Sequence, residues 1–216
     1  MIKIFPSLMA ANQLNLEHVV KALESYCDGF HLDIMDDHFV PNLSLSPDTV
    51  NQLAQLTNKQ LSVHLMVERP EEIIASLNLK KNNVVAFHLE STQHPEKLIQ
   101  EIKKRNLLVS IALRPKTPLS SLYPYLKKID QVLIMTVEPG FSGQKIVPAV
   151  FKKIEELSNY KQVNGLFQPI AVDGGINKDT IKQLVNRGAE IFSVGSAIFG
   201  AKDPASALQE LYDQAA

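Results

Sequence analysis

The segment 30–42 carries the side chains best suited to chemistry in this chain of 216 residues. In an extended strand alternate side chains share a face, so His31, Asp33 and Met35 point to one side and the intervening apolar residues to the other. An imidazole and a carboxylate two positions apart on a rigid strand can hold one divalent cation. The spacing therefore predicts half of a metal site, while the apolar face needs a helix packed over it.

Two other apolar segments supply matching ligands. One of them, 61–67, carries His64 and, two residues on, Met66. The other, 169–173, ends in Asp173 directly before two glycines. Two imidazoles and two carboxylates form a mixed nitrogen and oxygen set that suits one divalent ion of zinc, iron, manganese or cobalt, and the residues do not choose among these metals.

Composition bounds the class of protein. A chain of 216 residues with 45% hydrophobic content and a formal charge of −1 is expected to form a single domain, 1–216. We expect a cytoplasmic protein with no membrane partner, because no apolar run approaches the about 20 residues of a membrane span and the N-terminus lacks a signal-peptide pattern. The single Cys27 excludes an internal disulfide, and the lack of a basic block argues against nucleic acid.

Short apolar runs alternate with helical stretches along the whole chain. The predicted strands are 2–7, 29–35, 61–67, 84–89, 107–113, 131–137, 169–173 and 191–195. Caps, prolines and acidic residues mark predicted helix starts at 15, 47, 70, 95, 118 and 177. Eight βα units in one domain of this size favour an α/β protein with a closed (β/α)8 TIM barrel over an open doubly wound sheet.

Functional groups of such a barrel collect at the carboxyl ends of its strands. The four candidate ligands lie at such ends, and Ser7 ends the first strand. The last two strands are followed by Gly174-Gly175 and by Gly195-Ser196. At such positions, backbone N–H groups at the start of a short helix commonly bind phosphate. The loop from Gly140 to Gly143 follows the sixth strand and is placed to close over such an anion.

Five segments resemble the ribulose-phosphate 3-epimerase family in order and spacing, over essentially the whole chain. They are Pro6-Ser7-Leu8, His31 to Asp36 with His38 to Asn42, His64 to Val67, Met135 to Gln144, and Val172 to Ile176. The resemblance implies one divalent metal held by His31, Asp33, His64 and Asp173. It also implies that Asp33 is the proton acceptor and Asp173 the proton donor.

The resemblance further implies a substrate site and a reaction. The substrate contacts are Ser7, His64, Gly140, Phe141, Ser142, Gly143, Asp173, Gly174, Gly175, Gly195 and Ser196, and the apolar lining is Met35, Met66 and Met135. The reaction interconverts D-ribulose 5-phosphate and D-xylulose 5-phosphate in the pentose phosphate pathway, by two-base proton transfer through an enediolate that the metal stabilises. The family also implies a homo-oligomer.

Three positions depart from the family pattern and leave alternatives open. Asp37 stands where the family commonly has glycine, and Arg114 and Lys116 bring two cations toward the rim. The segment 42–47 is similar to allulose-6-phosphate 3-epimerases, which act on a six-carbon ketose phosphate. A non-catalytic phosphosugar-binding barrel would keep the glycines without needing both aspartates. A lyase or decarboxylase would need a lysine beside the strand-end groups, where none is well placed.

The remaining polar residues carry no predicted function. His18, His88 and His94 are interpreted as structural or solvated, and the helical lysines, including Lys152 and Lys153, as solvated outer faces. Cys27 is interpreted as a small buried residue.

Overall fold

The computed structural model describes residues 2–216, in which parallel strands alternate with helices. Eight strands form one sheet in the order β1-β8-β7-β6-β5-β4-β3-β2. Ser7 forms a parallel bridge with His31, which brings the first strand against the second and closes the sheet into a barrel. The predicted single-domain (β/α)8 TIM barrel is confirmed. Its strands are β1 (Lys3–Pro6), β2 (Gly29–Met35), β3 (Gln60–Met66), β4 (Val84–His88), β5 (Leu108–Leu113), β6 (Gln131–Met135), β7 (Ile170–Asp173) and β8 (Ile191–Val194).

Helices cover the outside of the barrel. They are α1 (Leu16–Leu23), α2 (Pro47–Leu56), α3 (Pro70–Ser76), α4 (Pro95–Lys104), α5 (Ala149–Val163), α6 (Ile181–Val185), α7 (Ser196–Phe199) and α8 (Pro204–Ala215). The Ser46 side chain accepts a hydrogen bond from the N–H of Thr49 and caps α2. Proline opens α2, α3 and α4 because its missing N–H would have no partner in the first turn, so the starts predicted there are confirmed.

The helix predicted to start at Pro118 is wrong in type. The chain instead forms two 3-10 segments, Leu119–Ser121 and Tyr123–Lys128. Pro124 lacks an N–H, and in a continuous α-helix its ring would clash with the carbonyl one turn earlier. Short 3-10 turns accommodate the proline between β5 and β6. The start predicted at Asn177 is early, since α6 begins at Ile181.

Alternating side chains divide each strand between two cores. Phe30, Leu32 and Ile34 face outward into the large core shared with the helices. A second cluster fills the inside of the barrel and consists of Phe5, Ala86, Ala112, Leu133, Met135, Ala171 and Ile191. Fully burying a side chain of the size of Phe30 stabilises the fold by about 1.5 to 3 kcal/mol. The barrel is thus a packed scaffold, which holds the polar residues near its carboxyl end in fixed positions.

Strand register brings the predicted site residues together. Asp33 of β2 lies opposite His64 of β3, and Asp173 of β7 lies opposite Ser193 of β8. Partners in adjacent parallel strands place their side chains on the same face of the sheet. These groups therefore meet inside the carboxyl end of the barrel. Within residues 2–216 the helices are too short or too polar for a membrane crossing.

Candidate active site

Two imidazoles and two carboxylates converge at the carboxyl end of the barrel. His31 Nε2 lies 3.1 Å from Asp33 Oδ1 and 3.3 Å from Asp173 Oδ2. His64 Nδ1 lies 3.2 Å from Asp33 Oδ1 and 3.4 Å from Asp173 Oδ2. Both histidines are fully buried, and the two carboxylates come from strands β2 and β7 on different sides of the barrel. The four predicted metal ligands are thus brought together.

Hydroxyl groups hold the outer sides of this cluster. The Ser7 hydroxyl donates a hydrogen bond of 2.9 Å to Asp33 Oδ2. Ser193 Oγ lies 3.0 Å from His31 Nδ1, the ring nitrogen that faces away from the carboxylates. In a neutral His31, a proton on Nδ1 directed at Ser193 leaves Nε2 with its lone pair toward Asp33 and Asp173. Sequence reasoning did not single out Ser193.

The cluster is electrostatically coupled. Burial favours the neutral form of His31, but Asp33 and Asp173 outweigh it and raise the pKa of His31 to about 10. Burial also opposes the charge of the carboxyl groups, yet the imidazoles hold the pKa of Asp33 and of Asp173 below the usual range. The pKa of His64 is raised against burial by hydrogen bonds and charge from the same aspartates. Positive charge between the carboxylates is therefore favoured.

The donor set fits a divalent metal ion. One ligand atom from each of His31, Asp33, His64 and Asp173 lies within 4.8 Å of all the others. Neutral imidazole nitrogens with carboxylate oxygens suit borderline divalent ions such as zinc, iron, manganese and cobalt. Two buried carboxylates side by side also need positive charge to offset their repulsion.

A narrow cavity of about 40 Å³ lies directly above the cluster. Its walls include both aspartates and all three methionines named from the sequence. Ten of the predicted substrate contacts also line it, namely Ser7, Gly140, Phe141, Ser142, Gly143, Asp173, Gly174, Gly175, Gly195 and Ser196. Among residues 2–216, those lining the cavity include no lysine.

His64 is the exception among the predicted substrate contacts. It is fully buried, is not among the residues that line the cavity, and contacts Asp33 and Asp173 through its Nδ1. Its contact with substrate stays a prediction. Met9 lines the cavity as well, although the sequence analysis did not name it.

Two glycines shape the cavity wall beside Asp173. Gly174 has φ +105°, and a Cβ added there would lie 2.3 Å from Val137 Cγ2. No larger residue fits this turn without displacing Val137. Thr136 fastens the same turn, because its hydroxyl donates to the carbonyl oxygen of Asp173 at 2.8 Å. The turn therefore fixes the backbone that carries the Asp173 carboxyl.

His88 is buried in contact with the cluster, which agrees with the structural alternative of its sequence interpretation and excludes the solvated one. It ends β4, is fully buried, and its Nε2 lies 2.9 Å from His64 Nε2. Its Nδ1 lies 3.2 Å from Glu90 Oε2. The motif His88-x-Glu90 repeats the spacing of His31-x-Asp33 at a strand end, and this signal in the sequence could have identified it.

The prediction that Lys153 lies on a solvated outer face is wrong. This lysine is only 8% exposed. Its ammonium donates hydrogen bonds of 2.7 Å to the carbonyl oxygens of Arg114 and Thr117. Burial lowers the pKa of Lys153 to about 8. The lysine therefore fastens the loop after β5 to α5. Cys27, by contrast, is buried as expected.

The three departures from the family pattern have distinct surroundings. Asp37 has φ +59°, a left-handed conformation that suits glycine and is tolerated by aspartate. The Arg114 guanidinium lies over the Phe39 ring at 4.3 Å and donates to the Phe39 carbonyl oxygen at 2.8 Å. Lys116 is exposed at the rim near Glu138. Arg114 thus links two loops instead of pointing into the cavity.

Known proteins are similar to this chain in sequence or in fold. The sequence model described as the Ribulose-phosphate 3 epimerase family matches residues 3–199. The chain is 39% identical to ribulose-phosphate 3-epimerase of Methanocaldococcus jannaschii, covering 100% of this chain and 92% of that protein. It is 35% identical to ribulose-phosphate 3-epimerase of Bacillus subtilis, covering 98% of each. A solved 3-hexulose-6-phosphate synthase matches in fold alone, with a TM-score of 0.71, 16% identity and 100% coverage of both chains.

The fold and the site define a (β/α)8-barrel enzyme with a histidine and aspartate cluster at the carboxyl end of the barrel. The chain belongs to the ribulose-phosphate 3-epimerase family, as the resemblance predicted, and it is an isomerase.

Proposed function

We propose that this enzyme is a metal-dependent 3-epimerase that interconverts D-ribulose 5-phosphate and D-xylulose 5-phosphate in the pentose phosphate pathway. The observation that carries the proposal is the convergence of Asp33 from β2 and Asp173 from β7 on the same two imidazole nitrogens beside a cavity. The names of the curated relatives support ribulose phosphate as the substrate. Allulose 6-phosphate is the competing candidate.

Inversion at a carbon next to a ketone needs an acid and a base on opposite faces of that carbon. In the proposed mechanism Asp33 removes the C3 proton of ribulose 5-phosphate, and Asp173, which must be protonated when this substrate binds, delivers its proton to the other face of the enediolate. The hydrogen bond from Ser7 to Asp33 Oδ2 fixes the orientation of the base. The Gly174 turn fixes that of the acid.

A divalent ion held by His31, Asp33, His64 and Asp173 would supply positive charge that offsets the negative charge developing on the substrate oxygens. The protein's own apolar groups complete the site. Met35, Met66 and Met135 line the cavity, where their thioethers exclude water and offer no competing proton.

In the proposed complex the substrate phosphate binds at the glycine turns that follow the last two strands. Gly174-Gly175 and Gly195-Ser196 line the same cavity as the aspartates, with Gly195 at the amino end of α7. Backbone N–H groups at such a position favour an anion. Binding there would supply energy remote from C3 and orient the substrate for proton transfer.

Proton NMR of the purified protein in heavy water tests the proposal. We expect deuterium to enter at C3 as ribulose 5-phosphate is converted to xylulose 5-phosphate, faster than exchange with allulose 6-phosphate. A strong chelator should stop the reaction, and added metal should restore it. Exchange with the hexulose alone would favour the competing substrate, and exchange with neither would favour a non-catalytic phosphosugar-binding barrel.

Two further predictions accompany this function. We expect a cytoplasmic enzyme that forms a homo-oligomer. Light scattering of the purified protein tests the second, and a monomeric mass would contradict it.

A further inference from the structure

A buried chain of hydrogen bonds leads away from the candidate metal cluster. His64 Nε2 lies 2.9 Å from His88 Nε2, and His88 Nδ1 lies 3.2 Å from Glu90 Oε2. Both histidines are fully buried. The chain connects the ring nitrogen of His64 that faces away from Asp33 and Asp173 to a carboxylate at the end of β4.

The far end of this chain is held by the loop after β5. Glu90 Oε1 accepts a hydrogen bond of 2.8 Å from the Arg114 N–H, and it also accepts one from the Thr117 hydroxyl. Lys153 donates to the carbonyl oxygens of the same two loop residues, at 2.7 Å each. The Glu90 carboxylate therefore has a fixed position, with one oxygen directed at the loop and the other at His88.

The donors and acceptors along the chain can be assigned from one end. An ionised carboxylate only accepts hydrogen bonds, so His88 must carry a proton on Nδ1. A neutral His88 then presents the lone pair of Nε2, which can only accept a hydrogen bond from His64 Nε2–H. A neutral His64, the form that binds a metal ion, is then left with its lone pair on Nδ1, the nitrogen 3.2 Å from Asp33 Oδ1 and 3.4 Å from Asp173 Oδ2.

We propose that His88 and Glu90 are positioning residues, which fix the tautomer and ring orientation of His64 so that its Nδ1 stays free to bind the divalent ion. The inference rests on the proposed metal-dependent function and adds two residues outside the metal ligands and the cavity wall. Loss of the hydrogen-bond partner on the other ring nitrogen of a ligating histidine typically lowers metal affinity or activity about 10- to 100-fold.

A substitution that barely changes the shape of residue 90 is expected to reverse the direction of the hydrogen bonds from residue 90 to His64. In Glu90→Gln the amide oxygen must face the Arg114 N–H, so the amide NH₂ faces His88 and donates to its Nδ1. The proton of His88 then moves to Nε2, and His64 Nε2 must accept a hydrogen bond from it. His64 would carry its own proton on Nδ1, the nitrogen needed by the metal.

Zinc affinity of the full-length protein, measured by competition with a fluorescent chelator, tests the proposal. We expect Glu90→Gln and His88→Phe to weaken zinc binding by about 10- to 100-fold. His88→Gln, whose carbonyl can accept from His64, should recover part of the loss seen with His88→Phe. Glu155→Gln, on the exposed face of α5, is the matched control and should leave the affinity unchanged. Wild-type affinity in Glu90→Gln and His88→Phe would overturn the proposal.

Nitrogen-15 NMR of the histidine rings in the zinc-loaded protein gives a second readout. We expect protons on His64 Nε2 and His88 Nδ1, and a proton on His88 Nε2 would overturn the assignment. These measurements separate two failures. A wild type that binds zinc with this proton pattern but does not epimerise sugars supports this inference and contradicts the proposed function. Metal-dependent epimerisation by the wild type, with wild-type zinc affinity in Glu90→Gln and His88→Phe, supports the proposed function and contradicts this inference. A wild type that binds no zinc contradicts both.

Discussion

Replacing Gly174 with alanine is expected to destabilise the protein in two separable ways. The residue has φ +105°, a conformation that costs an ordinary L-residue about 1 to 2 kcal/mol. The added Cβ would also lie 2.3 Å from Val137 Cγ2, inside the packed wall of the cavity. Overpacking of this kind typically costs about 1 to 3 kcal/mol more. We therefore expect Gly174→Ala to lower the free energy of unfolding by about 2 to 5 kcal/mol.

Gly165→Ala is the matched control, because Gly165 also has a positive φ but lacks the crowding. Gly165 has φ +63°, and among residues 2–216 an added Cβ meets no atom within 4 Å. We expect a loss of only about 1 kcal/mol there, since alanine also lowers the entropy of the unfolded chain. Val137→Ala should relieve part of the Gly174→Ala loss, and the two changes should couple by about 1 kcal/mol or more.

Urea unfolding of the four variants measures these differences, with the slope of the transition checked for constancy. Turnover of ribulose 5-phosphate should fall further in Gly174→Ala than in Gly165→Ala, because the turn holds Asp173. Equal destabilisation by the two alanine substitutions would refute the argument from Val137.

Three further predictions concern single residues. Asp37 has φ +59°, so Asp37→Val should destabilise the protein by about 1 to 2 kcal/mol relative to Asp37→Gly, and equal urea midpoints would contradict this. Burial raises the pKa of Glu90, but hydrogen bonds from His88 and Thr117 outweigh it and hold the pKa at about 2. The ionised form of Glu90 stabilises the fold above its unfolded pKa, and this stabilisation is lost as the pH falls toward 2. Between pH 6 and pH 3 the free energy of unfolding should therefore fall by about 1 kcal/mol more in the wild type than in Glu90→Gln. The difference is small because Glu90 is partly exposed. Burial raises the pKa of the Cys27 thiol to about 12, so iodoacetamide at pH 8 should label it only after unfolding, and rapid labelling of the native protein would show the opposite.

Much of the scaffold could be predicted because strand periodicity is a local signal and the count of eight βα repeats favours one topology. The segment 29–35 was predicted with the bounds of β2 (Gly29–Met35), and its inward and outward faces follow from alternation alone. The convergence of His31, Asp33, His64 and Asp173 followed from their places at strand ends, since those ends share one face of a barrel.

Other parts of the site depend on contacts that the sequence does not display. Lys153 lies in a helix rich in charge, and its burial becomes evident only when α5 packs against a loop 36 residues away in the chain. The same limit applies to Arg114, whose guanidinium covers Phe39 from another loop. His88 is different, because its spacing to Glu90 was visible and was not weighed against the histidine motif of β2.

The 3-10 segments after β5 illustrate a competition between two local signals. Pro118 favours the start of a helix, and this alone led to the predicted α-helix. Pro124, six residues later, blocks continuation of that helix, and the chain forms Leu119–Ser121 and Tyr123–Lys128 instead. A second proline within the first two turns should have lowered the expected helix length.

The two-base assignment is tested most directly by proton exchange in Asp33→Asn and Asp173→Asn, measured by NMR in heavy water with the metal content of each variant determined. Asp173→Asn keeps the base for ribulose 5-phosphate, so this sugar should gain deuterium at C3 without forming xylulose 5-phosphate. Asp33→Asn should exchange C3 of xylulose 5-phosphate and leave ribulose 5-phosphate unlabelled. Exchange of ribulose 5-phosphate by Asp33→Asn, or near-normal epimerisation by either variant, would contradict the account.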